Sequence, residues 1–161
     1  MPTYVNSASF VIVFSYSGNT EETLSAAKEA LSKGAKIFGI TTGGKLAEFL
    51  KKNKLASYVF NPKYNPSGQP RMGLGYAIAS IFSLLSKCAF IRYGNEKEDI
   101  NFTLKKYVEE FDVAAPESKN LAKTFARKLL HKAVVLMASE HLVEISHAFA
   151  NELNENSKTF S

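Results

Sequence analysis

Residues Phe10 to Phe14 read FVIVF, an unbroken apolar run with β-branched residues at its centre and small polar residues on either side. Such a run has no wet face, so it reads as a strand covered on both sides, the habit of a parallel sheet. We expect it to be a central strand. The stretch S-Y-S-G-N-T (Ser15 to Thr20) leads from it into TEETLSAAKEALSKG, where Leu24, Ala27 and Leu31 share one helical face. Glu22 stands where a capping box opened by Asn19 would need it, and Gly34 ends the helix.

The same signals repeat. KIFGIT (Lys36 to Thr41) is a second strand, and KLAEFLKK (Lys45 to Lys52) a second helix after the Gly43-Gly44 turn. Ser57 to Phe60 is a short third strand, and NPKYNPSGQP (Asn61 to Pro70) is a loop rich in turn residues. Met72 to Ser86 reads as a buried core helix, too short and too rich in serine and glycine to span a membrane. This alternation predicts an α/β fold with a parallel sheet and helices on both faces.

Beyond Phe90 the periodic signal weakens. Charge rises in GNEKED, and only Phe102 to Phe111 looks helical, so residues 90–118 are expected to link a first α/β unit, 1–89, to a second, 119–161. In the second, Leu121, Phe125 and Leu129 mark a helix, AVVLM (Ala133 to Met137) a buried strand, and His141 to Asn154 a final helix. Only a few residues follow Asn154, so this unit is expected to be the start of an α/β unit rather than a whole one.

Charge excludes some roles and leaves others open. Lys and Arg number 20 against 15 Asp and Glu, a net +5, but they are scattered, with no stripe of basic and aromatic residues for a nucleic acid. An anionic small molecule suits that balance, and so does an ordinary lysine-rich solvated surface. Cys88 is the single cysteine, so no intrachain disulfide and no thiolate-pair metal site is expected, which fits a reducing, cytoplasmic setting. The opening MPTYVNSASF has neither the basic start nor the apolar centre of a secretory signal. His131, His141 and His147 read as surface histidines. Glu144 and His147 form a Glu-x-x-His pair, but matching ligands on other helices are missing, and no metal is expected.

The Ser15 to Thr20 stretch is where chemistry is expected. Between a parallel strand and the next helix, free backbone N–H groups and the positive end of the helix dipole converge, and the hydroxyls of Ser15, Ser17 and Thr20 add donors for a tetrahedral oxyanion. Gly18 lets the backbone turn tightly and approach a ligand. Ligands of open parallel sheets bind at the carboxyl ends of the strands. An ordinary helix cap in a serine-rich turn is the alternative reading.

S-Y-S-G-N-T-E-E-T followed by I-T-T-G-G-K-L resembles the sugar isomerase (SIS) family and, within it, the archaeal-type bifunctional phosphoglucose/phosphomannose isomerases. Pro70-Arg71 matches the place of that group's active-site arginine, and N-E-L-N-E-N-S-K (Asn151 to Lys158) its catalytic-base segment. The resemblance implies a SIS-type fold of the flavodoxin/Rossmann kind. It implies a substrate site of Ser15, Ser17, Gly18, Thr20 and Pro70, with Arg71 stabilising an enediolate and Glu155 moving a proton between C1 and C2. The substrates implied are glucose 6-phosphate, mannose 6-phosphate and fructose 6-phosphate, handled without a cofactor by a homodimer with a shared site. The group's upstream glycine- and serine-bearing phosphate segment, its ring-opening histidine and its C-terminal threonine and lysine have no counterparts here, so turnover by this short chain is expected to be weak or absent. On the residues alone, Glu155 also reads as a solvated carboxylate at a helix end. Two other readings stay open: a non-catalytic phosphosugar-binding module, and a flavodoxin-like flavin (FMN) binder whose phosphate loop is similar.

Overall fold

The computed structural model describes residues 1–92 and 96–158. It divides into two compact units, Met1–Ile91 and Arg92–Ser161. In the first, strands β1 (Phe10–Ser15), β2 (Lys36–Thr41) and β3 (Ala56–Val59) form a parallel sheet in the order β1-β2-β3. Phe10 lies opposite Lys36 and Ser15 opposite Thr41, while Phe38 lies opposite Ala56 and Thr41 opposite Val59. The three strands therefore end level, and the loops that leave them open on the same edge.

Helices α1 (Glu21–Ser32) and α2 (Gly44–Lys52) connect the strands. Right-handed crossovers repeated in one direction across a sheet bring successive helices to the same face. Accordingly, Leu24, Ala27 and Ala30 of α1 share one core with Leu46 and Leu50 of α2, over Val13 and Ile37. Gly39 belongs to this face, where a Cβ would lie 2.1 Å from a Leu50 methyl carbon. The absent side chain is what lets α2 pack down on β2. Helix α3 (Leu74–Lys87) follows a 3-10 turn, Pro70–Gly73. Tyr76, Ala79, Ser83 and Leu84 of α3 line a groove of about 850 Å³ with Phe38 of β2 and Tyr58 of β3.

Two details of this unit depart from the expectations. FVIVF forms β1, but β2 is the central strand of the three, and Phe10 is 40% exposed. A continuous apolar run reports that both faces of a strand are covered; it carries no information about how many of its edges are paired. The expected buried core helix is α3, yet no residue in it is fully buried, and Leu74, Ile78 and Phe82 stand about half exposed along one side. On its other side, Tyr76 stacks on Phe60 just after β3, and the rest of that side lines the groove.

The second unit is helical among the described residues, with α4 (Glu96–Glu110), α5 (Leu121–Leu129) and α6 (Val143–Glu155). Its most buried side chain is polar. Asn120 caps α5, its Oδ1 accepting from the Lys123 N–H at 3.0 Å while its Nδ2 donates to the Asp112 carbonyl at 3.1 Å. Lys123 Nζ donates to the carbonyls of Val113 and Ala115, and Arg127 pairs with Glu117. The expected strand over Ala133 to Met137 is not formed. Val134 is buried, but Val135 and Met137 are exposed, and no described residue of this unit offers a strand for them to pair with. The β-forming run is present, but a strand requires a ladder. Helix α4 begins ahead of the expected Phe102, and Gly94 and Asn95 of the charged segment lie outside the described residues.

Candidate functional site

Three loops leave the carboxyl ends of β1, β2 and β3. In the first, the buried Ser15 hydroxyl lies 2.8 Å from Thr20 Oγ1 and accepts the Gly18 N–H at 3.1 Å. Ser17 is exposed, and its hydroxyl oxygen accepts the Asn19 N–H at 3.2 Å. Thr20 is the N-cap of α1, but its side chain makes no capping bond to the helix. The first intrahelical bond runs from Leu24 N–H to the Thr20 carbonyl, which leaves the N–H groups of Glu21, Glu22 and Thr23 without an intrahelical acceptor.

The capping box expected of Asn19 and Glu22 therefore does not form. Asn19 turns outward from α1, and its Oδ1 accepts the Lys45 N–H of α2 at 3.2 Å. Proton bookkeeping explains what the Ser15–Thr20 pair can do. If Ser15 accepts from Gly18 and donates to Thr20, the Thr20 proton is left to point at a ligand over the uncapped helix end. Hydroxyls on Ser17 and Thr20 and the three N–H groups without an intrahelical acceptor thus belong to one loop and the first turn of α1, where the helix dipole favours an anion.

The second loop holds the first in place. Thr42 donates from both N–H and Oγ1 to the Tyr16 carbonyl, at 3.0 and 2.7 Å, and the Leu46 N–H donates to the Gly18 carbonyl at 2.8 Å. Gly18 has φ +71°, the left-handed region, and a Cβ there would lie 1.9 Å from the Gly43 carbonyl oxygen. Its glycine is therefore required twice, by conformation and by contact.

The third loop turns on Asn65, which is 7% exposed. Its Nδ2 donates to the Tyr16 hydroxyl and to the Gln69 carbonyl, each at 2.8 Å, and its Oδ1 accepts from Ser67 Oγ at 2.6 Å. Gln69 precedes the 3-10 turn in which Pro70 takes the first position and Arg71, exposed, the next. Gly73, at the end of that turn, is buried, and a Cβ on it would lie 2.3 Å from the ring of the half-buried Tyr16. The Tyr16 ring meets Phe60 edge-on, and Phe60 stacks on Tyr76.

Ser15, Ser17, Gly18, Thr20, Pro70 and Arg71 thus all belong to the loops at one edge of the first sheet. Glu155 is the last residue of α6, exposed, in the second unit; Lys158 Nζ donates to its carbonyl at 2.6 Å. Sequence reasoning gave no role to Tyr16, Thr42 or Asn65, and it gave Asn19 a capping role that the structure does not show. Each acts across loops that are distant in the chain. The one sequence signal for Asn65 was the Asn-Pro step inside a loop, which identifies a turn but no partner. Among the described residues, no three His, Cys, Asp or Glu side chains gather as a metal site, and no helix is long and apolar enough to cross a membrane.

Comparison with known proteins extends these observations. A bifunctional phosphoglucose/phosphomannose isomerase of Caldicellulosiruptor bescii is 41% identical over 162 aligned residues, covering 99% of this chain and 46% of the relative. The protein of the same name from Aquifex aeolicus is 32% identical, over 99% of this chain and 45% of its own. A Sulfolobus acidocaldarius protein named D-glucosamine-6-phosphate 4-epimerase is 30% identical, over 96% of this chain and 46% of its own. No family model matches the chain, and no solved structure does. Across essentially all of its residues, this chain resembles the bifunctional phosphoglucose/phosphomannose isomerases, and it spans about half the length of the curated relatives it matches.

Proposed function

We propose that this chain carries the phosphate-binding and proton-transfer residues of an aldose–ketose isomerase acting on glucose 6-phosphate, mannose 6-phosphate and fructose 6-phosphate. The observation that supports it most is the open amino end of α1, where Thr20 leaves the helix uncapped and turns its hydroxyl to Ser15. A serine-rich helix cap would spend those hydroxyls on the first-turn N–H groups. Here the donors are left for an anion, and the phosphoryl group of the substrate is the anion in this reading.

With the phosphate held by Ser17, Thr20 and the first turn of α1, and with Ser15 and Gly18 shaping the loop, C1 and C2 of the open-chain sugar reach towards the Pro70-Arg71 turn. The Glu155 carboxylate takes the C2 proton of the aldose, which the neighbouring carbonyl acidifies. The electron pair moves to O1, and the guanidinium of Arg71 stabilises the enediolate, a charge that exists only along the reaction path. Return of the proton to C1, with a proton passing from O2 to O1, gives the ketose. Return to the opposite face of C2 gives the epimeric aldose, so one base serves glucose and mannose 6-phosphates alike. A homodimer with a shared site, in the cytoplasm, completes the reading.

A second reading is supported by the Sulfolobus relative, whose name describes epimerisation at C4 of a hexosamine phosphate. It uses the same phosphate loop and different ring chemistry. Solvent-deuterium exchange separates the two. In deuterated water, the isomerase reading expects deuterium at C1 of fructose 6-phosphate or at C2 of the aldose 6-phosphates, lost in Glu155→Gln while the phosphate loop still binds. Conversion of glucosamine 6-phosphate to its C4 epimer, with no exchange at C1 or C2, overturns it in favour of the second.

A further inference from the structure

Tyr16 stands between the two serines of the phosphate loop, yet its side chain leaves that loop altogether. Its hydroxyl receives the Asn65 Nδ2 at 2.8 Å, and the same amide nitrogen donates to the Gln69 carbonyl, also at 2.8 Å. That carbonyl accepts the Met72 N–H at 3.1 Å as well, so it is the acceptor on which the 3-10 turn carrying Arg71 is wound. At the far end of the turn, Gly73 brings its Cα against the Tyr16 ring, a contact that any Cβ would prevent. The turn is therefore gripped at both ends by one side chain of the phosphate loop.

Tyr16 itself has little freedom to move. Its carbonyl takes two hydrogen bonds from Thr42, and its ring lies edge-on to Phe60 at 5.7 Å. Asn65 is buried with its amide fully engaged, and a buried amide that loses a partner is costly, so the link resists opening. Burial of an aromatic ring would need none of this; a phenylalanine would fill the same space. The hydroxyl and its asparagine have the added effect of fixing the distance between two loops joined through different strands.

We infer that Tyr16 is a positioning residue, which together with Asn65 and Gly73 sets the Arg71 turn at a fixed span from the phosphate loop. The inference rests on the function proposed above. In it, the phosphate and the enediolate are opposite ends of one substrate, and a cation is effective only when held at the developing charge. Tyr16 touches neither end. It acts through Arg71.

The test uses two probes on the folded chain. Inorganic phosphate reads the loop alone, and an aldonic acid phosphate, whose carboxylate stands in for the enediolate, reads the loop and Arg71 together. In Tyr16→Phe, phosphate affinity should stay within about twofold while aldonate phosphate weakens about fivefold, the effect of one lost hydrogen bond. In an Arg71→Ala background, Tyr16→Phe should produce no further loss for either probe. Gly73→Ala, which pushes the turn off the ring and leaves the hydroxyl pair intact, should reproduce the same split. Equal weakening for both probes, or an undiminished Tyr16→Phe effect without Arg71, shows a packing role and overturns the inference. Tight binding of aldonate phosphate that ignores Tyr16→Phe and Gly73→Ala overturns it alone. Failure of the unaltered chain to bind either probe overturns the functional reading as well.

Discussion

Gly18 and Gly43 approach so closely that a single added methyl group cannot be placed between them: a Cβ on Gly18 would fall 1.9 Å from the Gly43 carbonyl oxygen. This contact joins the loops after β1 and β2, and with the Leu46 N–H on the Gly18 carbonyl it holds the amino ends of α1 and α2 side by side. The binding loop is thus defined by backbone, and its hydroxyls follow from that.

Gly18→Ala should therefore cost more than its backbone conformation alone. A left-handed alanine costs about 1–2 kcal/mol, and displacing the Gly43 peptide adds to it, for a total of about 3 kcal/mol by the range of strained substitutions. Gly68 is the internal control, since it also has a positive φ, +66°, but open space around it. Urea unfolding should show Gly68→Ala losing only the conformational cost. Equal losses at the two positions would show that the loops can part without penalty.

Asn120→Ala tests the second unit. It removes the cap of α5 and leaves the Asp112 carbonyl without its amide partner. A lost cap costs about 1–2 kcal/mol. Hydrogen exchange should quicken first in Leu121–Leu129, with β1 to β3 unaffected. Unchanged exchange in α5 would show that the buried amide is not what holds the helix.

The Glu117 carboxylate lies below its ordinary value of 4.5, chiefly because it accepts hydrogen bonds from Arg127. A depressed carboxylate contributes stability that is fully present above the ordinary value and is lost as pH falls through the lower, folded one. The expected window of loss is therefore below pH 4.5. Because the pair is exposed, salt should weaken it. Carbon-detected NMR titration of Glu117 should place its midpoint below that of Glu117 in Arg127→Met, and an unchanged midpoint would remove the pair from the account.

Different parts of the molecule were legible for different reasons. FVIVF and KIFGIT announce covered strands because both of their faces are apolar, but the order β1-β2-β3 arises from crossovers, which the runs do not encode. The S-Y-S-G-N-T loop was legible because its hydroxyls, its glycine and its place before a helix are all local. Tyr16 and Asn65 were not, since their bond spans residues brought together only when β3 joins the sheet. AVVLM misled because β-propensity describes a surface that fits a ladder, and no described strand of the second unit supplies one. Asn19 misled in the opposite direction, with its side chain bonding across to α2 rather than capping α1.

The central claim is that the open end of α1 binds the phosphate of a hexose 6-phosphate, and amide NMR tests it at the residues concerned. Titrating fructose 6-phosphate into the chain should shift the N–H signals of Ser17, Thr20, Glu21 and Glu22 together, with inorganic phosphate competing for the same shifts. In Ser17→Ala/Thr20→Ala the shifts should shrink and the apparent affinity fall by about tenfold or more, as expected for two lost hydrogen bonds to a charged group. Shifts confined to other residues, or an affinity unchanged in the double variant, would contradict the account.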